Sequence, residues 1–374
     1  MNDREPFIYI KQMYMKGFFD LEENCKEKII SEDYWDFIIP LYRDEELKEV
    51  NPENVCIQEM DFGYKSVSVD RRILLPLSFR EYWYSTIPKC YALLDMQPLD
   101  AAGIITLQNY PTLQLMGDGI MIGFLDTGID YQNRVFRNLD GTTRIVGIWD
   151  QTIQTGRTPQ GLYYGTEYTE EMINAALRSE DPLQIVPSVD TDGHGTCVAS
   201  AAAGGAEVGK RFFGAAPEAS IAMVKLKPAK NYLKEFFAIA QDAVCYQEND
   251  IMLGLRYLND LARKQGMPLV ICVALGTSFG GHNGDSLLAD ILDIYATVRN
   301  RCVVVGTGNE AARRHHYFNR FTDAQDMRTA EIRVGEGTQS FAVELWSTLP
   351  NIVMVSVTSP SGERTGMIPI RLGY

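Results

Sequence analysis

Histidine is scarce in this chain, four among 374 residues, and none stands at ligand spacing from a cysteine, so no metal site is expected. Long apolar runs are missing too. The longest, such as residues 269–275, are too short to span a bilayer, and no membrane span is expected. The first residues mix charge into every turn, without an apolar core followed by small residues, so a secretory signal peptide is not recognisable. Basic clusters longer than a pair or triple are lacking and the net charge is −14. That argues against a nucleic-acid partner, because phosphate binding needs basic patches that displace counterions. The seven cysteines, at 25, 56, 90, 197, 245, 272 and 302, are odd in number, scattered and free of any C-x-x-C pair. Such usage fits a reducing compartment, with all seven as free thiols.

What is present is an ordinary globular composition, 45% apolar and 22% charged, long enough for two or three structural units. Residues 1–95 form a first unit, with Glu/Lys-rich helical stretches, an aromatic segment at 33–40 and a strand-like run at 66–75. A hinge is expected around Ile87-Pro88-Lys89 and Met96-Gln97-Pro98. Over residues 96–322, uniformly apolar strands (120–125, 219–225, 268–275, 301–306) alternate with helices (232–248, 250–265). Strands buried on both faces imply an α/β fold, a mainly parallel sheet with helices on each side and the active site at the carboxyl ends of its strands. From 323 to 374 the pattern turns to strand-like runs at 331–334, 340–346, 352–357 and 367–371, the start of an antiparallel β unit.

Three stations carry chemistry. The first is the apolar run Ile122-Gly123-Phe124-Leu125 ending in Asp126-Thr127-Gly128. A carboxylate at that strand end can accept the Nδ1 proton of a histidine and hold its tautomer. Asp-Thr-Gly also serves aspartic peptidases, but those need a second such carboxylate, and the chain has no second Asp-Thr-Gly or Asp-Ser-Gly. The second is Asp190-Thr191-Asp192-Gly193-His194-Gly195-Thr196, followed by a run of small residues, where glycines on both sides give the His194 ring room. The third is Val303-Val304-Val305-Gly306-Thr307-Gly308-Asn309, a buried strand ending in a glycine turn.

These segments, with Phe213-Gly214-Ala215-Ala216-Pro217 and Ala222-Met223-Val224-Lys225, resemble the subtilisin-like serine peptidases, the subtilase family, over roughly residues 100–320 and in its order of acid, base, serine. Trp149-Asp150-Gln151, Tyr164-Gly165-Thr166-Glu167-Tyr168 and His315-His316-Tyr317 look closest to the clostridial group that includes the Csp spore-germination proteases. The resemblance implies a serine endopeptidase with Asp126 as acid, His194 as base and Asn309 as side-chain donor to the oxyanion. It implies that Ala274, Leu275 and Gly276 bind an extended polypeptide substrate edge to edge, without a cofactor. It further implies a prodomain in residues 1–95 whose tail occupies the cleft; the change of character along the chain places its cleavage between about residues 87 and 105. The location is left unknown, with a cytoplasmic or spore-associated one favoured because no signal peptide is recognisable.

One family requirement is unmet: Gly-Thr-Ser followed by small residues does not occur after Asn309. Gly276-Thr277-Ser278 precedes Asn309 and belongs to the substrate strand, so Ser278 is not expected to be the nucleophile. Two explanations stay open. In the favoured one the sequence is a fragment whose β unit interrupts the catalytic domain as a jelly-roll-like insertion, with the serine beyond it. In the other the protein is a pseudoprotease that binds peptides as a regulator. Cys197, one helical turn beyond His194, is expected to be a buried, inert thiol.

Overall fold

The computed structural model describes residues 25–40, 51–93, 104, 108, 115–205, 212–310, 313–323, 326–338, 340–348 and 351–369. Near the amino terminus, helix α1 (Cys25–Ile30) precedes an antiparallel sheet of β1 (Tyr34–Pro40), β2 (Val55–Glu59) and β3 (Tyr64–Asp70), in the order β1-β3-β2. Alternation sets the two faces. Val67 and Val69 pack with Phe37 and Ile39 in one apolar cluster, while Ser66 and Ser68 between them make polar contacts on the other face. The strand expected at 66–75 ends at Asp70, whose side chain accepts the Arg72 N–H and turns the chain. A short strand, β4 (Cys90–Leu93), closes this part.

Next in chain order come β5 (Met121–Asp126), β6 (Ile145–Asp150), β7 (Thr166–Thr169), α2 (Glu170–Arg178), α3 (His194–Ala203), β8 (Ser220–Lys225) and α4 (Asn231–Phe236). They are followed by β9 (Tyr246–Gln247), α5 (Glu248–Gln265), β10 (Leu269–Val273), β11 (Leu275–Gly276), α6 (Leu287–Thr297) and β12 (Arg301–Val305). Six of these strands form one sheet, β12-β10-β5-β8-β6-β7, parallel except for β7 on β6. Both faces of the inner strands are covered, but β12, expected to be buried, lies at the edge of the sheet with Val304 and Val305 52% and 51% exposed. On β5, Met121 and Leu125 join Ile251, Leu255 and Leu258 of α5, whereas Ile122 and Phe124 join Val198, Ala199 and Ala203 of α3 and Ile173 of α2. No helix of the described residues is long and apolar enough to cross a membrane.

Three expectations are corrected. The helix expected at 232–248 ends at Phe236, Ala238 takes φ 56°, and Tyr246–Gln247 becomes a strand. Pairing with β4 prevails there over helical propensity. Among the described residues of the carboxyl-terminal runs, only β13 (Met354–Val355) and β14 (Ile368–Pro369) pair, antiparallel, while 331–334 and 340–346 are not strands. Apolar alternation is not enough without a partner strand for the backbone. The third correction is that Cys25 and Cys56 form a disulfide, because α1 packs over β2 and brings their Cα atoms to 5.2 Å, although 31 positions separate them in sequence. The other five cysteines are free.

Alkylation of the unreduced, denatured protein is accordingly expected to modify five cysteines; modification of seven would refute the bridge. Loop-closure entropy gives Cys56→Ser an expected loss of about 3–4 kcal/mol in the unfolding of this part, read by denaturant titration.

Candidate active site

The carboxyl ends of three neighbouring parallel strands carry the predicted residues. Asp126 closes β5, the segment 274–276 follows β10, and Asn309 lies in the loop after β12. Strands in such a sheet lie about 4.8 Å apart, so these loops leave one edge side by side. Burial of apolar strands fixes this edge, and the loops can vary in chemistry without disturbing the sheet.

Asp126 is 1% exposed, and His194 is the first residue of α3. The imidazole Nδ1 lies 2.7 Å from Oδ1 of Asp126, the distance at which Nδ1–H donates to the carboxylate. The same oxygen accepts the Thr127 N–H at 2.7 Å. Oδ2 of Asp126 is buried without a hydrogen-bond partner among the described residues.

The amino end of α3 explains why His194 stays in place. A helix start leaves its first N–H groups without intrahelical acceptors. Here His194 N–H donates to Asp192 Oδ1 at 3.3 Å, Gly195 N–H to Thr127 Oγ1 at 2.9 Å and Thr196 N–H to Asp190 Oδ2 at 2.9 Å. Thr127, the neighbour of Asp126, therefore caps the helix that carries His194. Thr127 Oγ1 in turn donates to Asp190 Oδ1 at 2.8 Å, and Gly193 N–H and Thr196 Oγ1 add bonds of 2.9 and 2.6 Å to Asp190. Burial pushes the Asp190 carboxyl up, but hydrogen bonds from Thr196, Gly193 and Thr127 outweigh it and hold the group below its ordinary range. The closeness also explains Gly195: a Cβ there would sit 2.2 Å from the Gly128 carbonyl oxygen. Asp190 carried no assigned role in the sequence; the available signal was a carboxylate a few residues ahead of a helix whose cap residue, Gly193, has no side chain.

Cys197 is exposed, not buried as expected. The buried face of α3 is Gly195, Val198, Ala199 and Ala203, and position 197 falls outside that stripe. Among the described residues no group of three or more His, Cys, Asp or Glu side chains is placed to hold a metal ion.

The segment expected to bind substrate is already engaged by a strand. Ala274 is half-buried, and Leu275 and Gly276 pair antiparallel with Leu93 and Ala92 of β4. On its other side β4 pairs antiparallel with β9, Cys90 with Gln247 and Tyr91 with Tyr246. The amino-terminal part thus inserts its last strand between two segments of the sheet domain, in the order β11-β4-β9. Asn309 follows Gly308, at φ 89°, and is exposed.

Replacing Asp190 with alanine removes one acceptor from four donors, with an expected cost of about 2–4 kcal/mol in urea unfolding. The depressed carboxyl sets the pH sense: its contribution is complete above the unfolded value, about 3.9, and is lost as pH falls through the lower folded value. Asp190→Ala should flatten the stability profile in that acid range; an unchanged profile would refute the role.

Comparison with known proteins bears on the family and the fold. The model of the subtilase family, Peptidase_S8, matches residues 117–364. The solved structure of the Clostridium perfringens CspB protease is 33% identical, with a TM-score of 0.57 over 72% of this chain and 52% of its own. The chain therefore spans about half the length of that relative. The S41 psychrophilic protease, at 23% identity over 54% of this chain and 50% of its own, reaches a TM-score of 0.33, too low to bear on the site. No curated protein matches. The chain, matched by the family model over most of its length and similar to CspB, belongs to the subtilase family.

Proposed function

We propose that the chain supplies the acid and base of a serine endopeptidase that hydrolyses extended polypeptides. The observation that carries this reading is the 2.7 Å contact between His194 Nδ1 and Asp126 at the carboxyl edge of the sheet. A serine hydroxyl from beyond residue 374 attacks the scissile carbonyl while Nε2 of His194 takes its proton. Asp126 holds the tautomer and stabilises the imidazolium, and Asn309 with a backbone N–H donates to the oxyanion. His194 then protonates the leaving amine, and water resolves the acyl-enzyme by the reverse sequence. The chemistry calls for no cofactor.

Substrate enters as an added strand along Ala274, Leu275 and Gly276, which reads backbone before side chains. The pairing of β4 with Leu275–Gly276 supports this, because the same edge already accepts a strand. In this reading residues 1–95 are a prodomain whose tail β4 rests in the cleft, 96–322 the catalytic domain and 323–374 the start of a β-rich insertion. Cleavage follows β4, between residues 93 and 105; residues 94–103 lie outside the described residues.

The natural protein is expected to be heavier than 42.1 kDa and to react with a fluorophosphonate, and His194→Ala should abolish labelling. A 42.1 kDa product that never labels would make the chain a binding protein instead. In the labelled form Asp126→Asn is expected to lower kcat about 10⁴-fold. Asn309→Ala should lower it about 10²–10³-fold, a magnitude that comes from a subtilisin. Sequencing should place the new amino terminus between residues 94 and 105.

A further inference from the structure

β4, inserted between β11 and β9, and the residue just before it bring two side chains to a buried carboxylate. Lys89 and Tyr91 lie two positions apart, on one face of an extended chain, and are 4% and 6% exposed. Between them stands Glu248, 0% exposed, the first residue of α5. Its Oε1 accepts the Tyr91 hydroxyl at 3.3 Å and the Leu288 N–H at 3.3 Å, and its Oε2 accepts the Lys89 N–H at 3.2 Å with the Lys89 ammonium 3.8 Å away. The Glu248 N–H donates to the Lys89 carbonyl at 2.9 Å, which sets the register at this point. Tyr91 belongs to the apolar cluster that includes Ile251, Met252, Leu275 and Leu288, so its ring is enclosed while its hydroxyl meets the carboxylate.

A carboxylate buried this deeply is costly unless it is hydrogen-bonded. Of its partners, only the Leu288 N–H belongs to the sheet domain; the others arrive with β4. Any extended backbone that replaces β4 restores the strand N–H. Only a side chain can restore the hydroxyl. Burial pushes the Tyr91 phenol well above its ordinary value, and the nearby Glu248 charge adds to the shift, so the group remains a donor at any working pH.

We infer that Glu248 is the floor of a specificity subsite that selects tyrosine in substrates at the position Tyr91 holds in β4. The selection works by loss: phenylalanine fills the apolar walls but leaves Glu248 one donor short, and glutamate brings a second negative charge into the same cavity. This deepens the peptidase reading and rests on it, because the resident strand serves as the guide to how substrate lies.

The test uses the natural, serine-bearing protein and a fluorogenic peptide with the sequence of residues 87–98, alongside the same peptide carrying phenylalanine or glutamate in place of Tyr91. Hydrogen bonds to a charged acceptor lead us to expect kcat/KM about tenfold higher for tyrosine than for phenylalanine. The glutamate peptide should fall at least about 100-fold below tyrosine. In Glu248→Gln the tyrosine to phenylalanine ratio should move toward one, a readout that a merely structural role for Glu248 would not change. Equal rates for tyrosine and phenylalanine in the unaltered enzyme would overturn the inference while leaving a peptidase, and need no variant to fold. A protein that neither cleaves any of the three peptides nor reacts with fluorophosphonate would overturn the peptidase reading and this inference with it.

Discussion

The site depends on the junction between the end of β5 and the start of α3. Asp126 and Thr127 are consecutive: one accepts from the His194 ring, the other accepts from the backbone at the next residue, Gly195. A shift of α3 relative to β5 would therefore break a helix cap and the Asp126–His194 contact together. Asp190 reinforces the coupling by holding Thr127, Gly193 and Thr196 at once. The His194 ring is thus positioned by the hydrogen bonds at the start of its own helix as well as by Asp126.

The amino-terminal part is attached through buried polar groups as well as through shared apolar clusters. Asp36 on β1 is 1% exposed and receives Ser68 Oγ, Gln247 Nε2 and the Lys230 ammonium, at 2.5, 2.8 and 2.9 Å. Tyr232 completes the contact by exchanging hydrogen bonds with the Asp36 backbone in both directions. Burial lowers the Lys230 pKa, and Asp36 opposes that shift. Breaking such a pair exposes the full cost of an unpartnered charge, so this contact defines one docked arrangement and penalises near misses. Further out, Glu344 accepts both Tyr84 OH and Gly280 N–H, tying the carboxyl-terminal part to the first unit and to the loop after β11.

Legibility followed the range of the interactions. Strands at 120–125 and 219–225 were readable because burial on both faces writes an unbroken apolar run into a few adjacent residues, whereas the run at 301–306 forms an edge strand with Val304 and Val305 exposed. The segment at 232–248 was misread because Tyr246 and Gln247 gain more from pairing with β4 than from extending a helix, and nothing near them in sequence announces that partner. The runs at 331–334 and 340–346 carried strand composition, but no neighbour closes their ladder among the described residues. Residues exposed there include Ile332 and Val343, which composition alone would have placed inside.

By itself the sequence determined the sheet class, because apolar strand runs act over a few residues, and it singled out Asp126 and His194 as candidates through short glycine-flanked motifs. Tertiary structure alone decided that Cys25 meets Cys56, that Asp190 caps the helix bearing His194 through Thr127, and that Tyr91 and Lys89 converge on Glu248. These contacts join positions up to about 160 residues apart, such as 89 and 248. Their partners become neighbours only when separate strands and helices pack, and the free energy that selects them is that of burying charge and hydrogen-bonding groups with a complement already in place.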